Sequence, residues 1–210
     1  MFEANDLTVR RGDRPVISGL RLAVPAAHCL QVIGANGSGK TTLLRVLCGL
    51  LEPESGRISW KGAPVEPRSP EFQRDLVYLG HHPPLKGDLT AEENLSFAAA
   101  LRGIPGAERR AAVQRAVQRA EAERFSGRPV RTLSAGQRRR VALAMLCLGS
   151  APIWLLDEPV THLDAAGQSL VTRLVTAHLE AGGIVIAATH QDLGLPSGSR
   201  DELVLGRRAS

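Results

Sequence analysis

The stretch "GANGSGKTT", residues 34–42, sets Gly34, Gly39, Lys40 and Thr41 in the spacing G-x-x-x-x-G-K-[ST]. Glycines at such spacing let a backbone wrap closely, so that its amides turn inward on phosphate oxygens. The apolar run "HCLQVIG" (28–34) leads into the loop, and "KTTLLRVLCGLL" leaves it with helical spacing. The loop therefore joins a strand to a helix N-terminus, whose dipole favours an anion. Gly34, Ala35, Asn36, Gly37, Ser38, Gly39, Lys40, Thr41 and Thr42 form the expected cradle. Lys40 is expected to reach the β- and γ-phosphates, and the Thr41 hydroxyl to ligate Mg²⁺.

A second stretch, "IWLLDEP" (153–159), reads as a buried strand with Asp157 emerging at its end. An acid there can hold Mg²⁺, directly or through water. Glu158 then stands where a base orients or deprotonates a water. A third, "LSAGQRRRVALA" (133–144), opens a helix with Ser134 and Gln137 in capping-box spacing. Solvent or partner contacts are the expected use of Arg138, Arg139 and Arg140, in preference to DNA.

The elements that must position these residues follow an α/β grammar. Residues 3–10 and 20–24 alternate as strands of a small antiparallel unit, and "GRISW" and "RDLVYL" are further strands. Leu43, Leu44, Leu47 and Leu50 mark one side of the helix after the phosphate loop. From Thr90 to about Glu123 the chain is helical, opened by a Thr90–Glu93 capping box. Its second piece, "AERRAAVQRAVQRAEAE", is expected to keep its arginines on a solvated face. Helices over about 135–149 and 164–181 alternate with strands at 153–157 and 184–189. Leu170, Val171, Leu174 and Val175 mark the buried side of the later helix, and Gly182–Gly183 stop it. The last residues, "GRRAS", are expected to fray.

Composition bounds the function. The chain has 210 residues, 43% hydrophobic and 22% charged, enough for one good core or a core with a small subdomain. Two Trp, one Tyr and four Phe are too few for the aromatic platforms that stack single-stranded nucleic acid. A net charge of +5 permits contact with a polyanion without demanding it. Cys29, Cys48 and Cys147 form no C-x-x-C pair and are expected as buried, reduced thiols. "MFEANDL" has no signal-peptide pattern. The longest uncharged stretch, 141–156, is short for a membrane span and is broken by Gly149 and Pro152, so any membrane role is expected to run through a partner.

Taken in order, these motifs resemble the ATP-binding cassette family over nearly the whole chain. "LSAGQ" is similar to that family's signature sequence, "VTHLD" (160–164) stands at its D-loop, and "ATH" (188–190) at its switch histidine. The resemblance implies a P-loop NTPase fold: a RecA-like parallel-sheet core, a small N-terminal antiparallel β unit and a helical signature subdomain. It implies one cassette, with the nucleotide-binding core in 1–83 and 150–210 and the helical subdomain in about 84–149. ATP and Mg²⁺ are the implied cofactors. Ser134, Gly136 and the amides at that helix start would close over the γ-phosphate of ATP held by a second cassette, head to tail. His190 would contact the γ-phosphate and sense its loss, and Asp164 would communicate across the dimer.

Three positions depart from that family. His82, in "YLGHHPPLK", falls where a glutamine is usual; it either contacts a water near Mg²⁺ or is a loop histidine with no catalytic contact. Arg10 and Arg11 stand where an aromatic residue stacks on adenine; an arginine plane replaces it, or base selectivity weakens. His162 replaces a small D-loop residue. Within the family, "YLGH", "LSAGQ…RRVALA" and "ATHQ" resemble the ATP-binding subunit of the cytochrome c maturation system, the haem exporter. That implies a peripheral ATPase at the cytoplasmic face of a bacterial inner membrane, with integral haem-handling partners. No haem ligand of its own and no nucleic-acid partner are expected. The alternatives are a soluble cassette ATPase acting on ribosomes or DNA, and the ATPase of another importer or exporter.

Overall fold

The computed structural model describes residues 1–206. The fraying expected at the C-terminus, beyond Gly206, lies outside the described residues. Backbone contacts divide the chain into two units: Met1–Tyr78, Ala151–Pro159 and the chain from Val175 onward in one, Leu79–Ser150 and Val160–Leu174 in the other.

In chain order the first unit carries β1 (Phe2–Arg11), β2 (Arg14–Val24), β3 (Cys29–Ile33), α1 (Lys40–Leu47), β4 (Ser55–Trp60), β5 (Ala63–Val65), α2 (Pro70–Arg74) and β6 (Leu76–Leu79), which ends at the boundary. The second carries α3 (Ala91–Leu101), α4 (Gly106–Arg119) and α5 (Ala135–Leu146). The first resumes with β7 (Ile153–Asp157). Helix α6 (Ala165–Glu180) then runs from the second unit into the first, which ends on β8 (Ile184–Ala188) and β9 (Arg200–Val204).

The first unit holds two sheets. One is antiparallel, in the order β2-β1-β4-β5, with Phe2 opposite Val24 on one side and Trp60 on the other. The other has the order β6-β7-β8-β3-β9, in which β7, β8, β3 and β9 run parallel. Parallel strands covered on both faces read as continuous apolar runs. Strands β7 and β8 are buried at every position, and β3 at all but its last. Side chains of α1 (Leu43, Leu44, Val46 and Leu47) join this core with Phe2, Leu7, Val32, Leu155 and Ile186.

Several expectations change. Helix α1 stops at Leu47, and Gly49 turns the chain at φ 77°, so Leu50 is 64% exposed instead of sharing the buried side. Strands β1 and β2 are longer than expected. Helix α2, strand β5 and edge strand β9 were not expected at all. The three cysteines are free thiols; Cys29 and Cys48 are buried, whereas Cys147 is half-buried.

The second unit packs α3, α4 and α5 around Leu95, Ala99, Val113, Ala116, Val141 and Ala144. Both expected capping boxes form. Glu93 N donates to Thr90 Oγ1 (3.1 Å) while Thr90 N donates to Glu93 Oε2 (2.8 Å). Gln137 N donates to Ser134 Oγ (3.2 Å) while Ser134 N donates to Gln137 Oε1 (3.0 Å). An N-cap of this kind contributes about 1 kcal/mol to its helix. Helix α4 buries Ala112, Val113, Ala116 and Val117 and turns most of its charged residues to solvent.

Candidate active site

The phosphate loop leaves the sheet at the end of β3. Gly34 has φ 148°, and a Cβ built on it would lie 2.5 Å from Leu205 O and 2.8 Å from Ser38 Oγ, so no larger residue fits. Ser38 N donates to Ala35 O (3.1 Å) and folds the loop back on itself. The loop enters α1 through Gly39, which offers no side-chain cap, and the first turn carries no acid. The amides that open α1 therefore have no side-chain acceptor, the arrangement that receives an anion. Ser38 Oγ is buried with no hydrogen-bond partner within the loop, a polar group open to an added ligand atom.

Lys40 is buried, and its Nζ donates to Gly34 O (2.8 Å) and Ala35 O (3.1 Å) while standing 3.2 Å from His190 Nε2. Thr41 Oγ1 donates to Asp157 Oδ1 (3.1 Å) at the end of β7, where Asp157 is 2% exposed. A hydroxyl beside a carboxylate is the hard-oxygen pair that suits Mg²⁺, which takes few protein ligands and completes its shell from phosphate and water. Among the described residues no cluster of three or more His, Cys, Asp or Glu could hold a metal. Glu158 has φ 49°, an uncommon conformation for a non-glycine residue, and its N–H donates to Ala188 O (2.8 Å). Its Oε1 lies 3.2 Å from His190 Nε2. The structure thus brings together Lys40, Thr41, Asp157, Glu158 and His190, with Ala35, Asn36 and Gly37 exposed at the loop tip.

The other expected residues lie in the second unit. Ser134 caps α5, and a Cβ at Gly136 would come 3.1 Å from His162 O, so the signature turn and the D-loop touch backbone to backbone. His162 itself has φ 65°. Asp164 caps α6, accepting from Gly167 N at Oδ1 (2.8 Å). His82 is exposed and meets His81 edge to face, with ring centroids 4.8 Å apart. Arg10 turns to its own loop, donating to Asp13 O (2.9 Å), while Arg11 is exposed.

Each of the three arginines of the signature helix binds its own chain; Arg139 is buried, which corrects the expectation of solvent or partner contacts for it, while Arg138 and Arg140 stay half-buried. Arg138 donates to Leu133 O, Arg139 to Gly80 O (3.1 Å) and Arg140 to Glu121 Oε2 (2.9 Å). Arg140 also lies 4.0 Å from Asp164 Oδ1, and Arg173 pairs with the same Glu121. Sequence reasoning missed Glu121 and the buried Asn94, and misplaced Arg139, which is buried. Only their types within otherwise alanine-rich helical stretches could have signalled them.

A parallel sheet that feeds a buried lysine, a helix start and an Asp-Glu pair into one place defines a phosphate-loop nucleotide-binding cassette. Residues 17–161 match the family model described as ABC transporter. A cytochrome c biogenesis ATP-binding export protein CcmA from Cupriavidus pinatubonensis is 44% identical over 206 residues, 98% of this chain and 89% of the relative. A CcmA protein from Salmonella paratyphi A is 46% identical over 193 residues, 92% of this chain and 91% of the relative. Among solved structures, a cassette from Clostridium perfringens that is part of the ABC transporter complex cbiONQ superposes with TM-score 0.80 at 27% identity, covering 97% of this chain and 84% of that one. A dimeric cassette described as a post-hydrolysis state bound to ADP and Pi superposes with TM-score 0.85 at 24% identity, covering 99% and 97%. The chain belongs to the ABC transporter family and, within it, to the cytochrome c biogenesis ATP-binding export proteins. It is an ATP-binding, ATP-hydrolysing cassette of that family. Among the described residues no helix is long and apolar enough to cross a membrane.

Proposed function

We propose that this cassette is the ATPase of a haem-handling membrane complex in c-type cytochrome biogenesis, bound peripherally at the cytoplasmic face of a bacterial inner membrane. Two copies work head to tail. The observation that carries the catalytic part is the convergence of Lys40, Glu158 and His190 beside the Thr41–Asp157 pair. The names of the CcmA relatives support the biogenesis part, and the dimeric solved cassette supports the pairing.

In this reading Lys40 trades its loop carbonyls for the β- and γ-phosphate oxygens of ATP, alongside the amides of residues 35–42 and the Ser38 hydroxyl. Thr41 and Asp157 would hold Mg²⁺, which when bound would neutralise phosphate charge. Glu158 accepts a proton from the attacking water, or orients it. His190 Nε2 donates toward the γ-phosphate and loses that contact when phosphate leaves. Ser134, Gly136 and the α5 amides close over the γ-phosphate of the ATP held by the partner copy. Asp164 fixes the D-loop at that closure. His82 takes the family's glutamine place in serving the bound nucleotide. ATP joins the two copies and hydrolysis releases them, a two-state element that drives the integral partners.

The test is a Glu158→Gln variant trapped with ATP in solubilised membranes, followed by identification of what co-purifies. Integral haem-handling proteins with a haem chaperone are expected. A different permease would leave a transport ATPase and remove haem. Ribosomes or DNA without membrane protein would overturn the reading.

A further inference from the structure

Arg139 lies in the middle of α5, five residues after Ser134, and is 4% exposed. A guanidinium stays charged at any accessible pH, and its burial is costly unless its donors are met. Its Nη1 donates to Gly80 O at 3.1 Å. Gly80 opens the segment "GHHPPLK", which carries His82.

The far end of the same segment is held as firmly. Asn94 of α3 is 3% exposed; its Oδ1 accepts from Lys86 N (2.8 Å) and its Nδ2 donates to Lys86 O (3.0 Å) and Thr90 O (2.9 Å). Between these anchors stand His81, His82 and two prolines, Pro83 and Pro84, whose rings fix φ. A short, proline-stiffened bridge pinned at both ends has little freedom of its own. Its position follows α5 at one end and α3 at the other.

We propose that Arg139 is a positioning residue that couples the signature helix to the His82 segment. Five residues along a helix is about 7.5 Å, so a shift of the helix start on closing over phosphate moves the guanidinium, and with it the Gly80 carbonyl. The contact is to backbone, so it sets where the segment lies whatever side chain occupies position 80. This rests on the proposed function above, in which the Ser134 helix start and His82 both serve nucleotide.

The experiment measures kcat, KM for ATP, ATP affinity and Tm for wild type, Arg139→Gln, Arg139→Lys, His82→Ala and the Arg139→Gln/His82→Ala pair, each in the assembled membrane complex. Arg139→Gln is expected to lower kcat about ten- to a hundred-fold, with ATP affinity held within about two-fold because the phosphate loop is untouched. Arg139→Lys, which keeps one charged donor, recovers part of that loss. In the His82→Ala background, Arg139→Gln costs less than about two-fold more, the non-additivity of residues that act through one another. Losses that simply multiply would overturn the proposal. So would a kcat that, per folded protein, stays at the wild-type value while Tm falls. A wild-type complex without ATPase activity would instead overturn the proposed function itself.

Discussion

The Nε2 atom of His190 lies 3.2 Å from Glu158 Oε1, although the two residues sit at the ends of different strands. The same nitrogen lies 3.2 Å from Lys40 Nζ. A single ring nitrogen either accepts from the ammonium or donates to the carboxylate. The choice of tautomer therefore decides whether Glu158 or Lys40 is engaged by that nitrogen. Glu158→Gln removes the base while keeping the shape. Phosphate release is expected to fall about 10²–10⁴-fold, while ATP stays bound and dimers accumulate. Single-turnover phosphate release with gel filtration in ATP measures both. A variant that still hydrolyses at the wild-type rate removes Glu158 from the base role.

Lys40 Nζ donates to Gly34 O and Ala35 O at once. Its ammonium holds the loop in shape, and in the proposed function it also supplies charge to the phosphates. Lys40→Ala is expected to abolish ATP binding at concentrations that saturate the wild type. Equilibrium binding of a fluorescent ATP analogue checks this, and tight binding by the variant would sink the phosphate-loop assignment.

What was legible in the sequence is what local spacing encodes. The phosphate loop, the Asp157–Glu158 pair and both capping boxes each lie within a few residues, and the geometry follows from one turn or one helix start. The contacts between Lys40 and His190 and between Arg139 and Gly80 join residues 150 and 59 positions apart. No periodicity announces such pairs, because the sheet order and helix packing create them. Leu50 misled for a related reason: its spacing continues α1, but Gly49 ends the helix first. Helix α2 did carry a signal, Ser69 before Pro70, which the structure uses as N-cap and first helical residue. Strand β9 carried little, since an edge strand with charged residues and half-exposed positions resembles a loop.

His82 is exposed and meets His81 edge to face, so a substitution there is expected to leave folding intact. His82→Gln restores the residue type usual at this place in the family. Hydrolysis is expected to stay within about two-fold of wild type or to rise, because the amide offers a donor and an acceptor at the same place. Steady-state kcat for both proteins at one pH decides it. A collapse of activity in the variant would mean that the imidazole is needed as such.

Cys29 anchors β3, the strand that delivers the phosphate loop, and is fully buried. Burial pushes its thiol from an ordinary 9.0 up to about 12, against a smaller opposing pull from Arg200. The folded chain therefore keeps this proton where the unfolded chain has lost it. The stabilisation is complete below pH 9.0 and is lost as pH rises toward about 12. Over that window the thiol contributes a fall of at most about 1.4 kcal/mol per pH unit. Cys29→Ala lacks the proton and loses some packing, so it starts less stable at neutral pH. The gap to wild type is expected to narrow steadily above pH 9.0. Urea midpoints taken for both proteins from neutral pH upward measure it. A gap that stays constant would show that the Cys29 thiol titrates alike in the folded and unfolded chains, and that β3 is less tightly shielded than its burial implies.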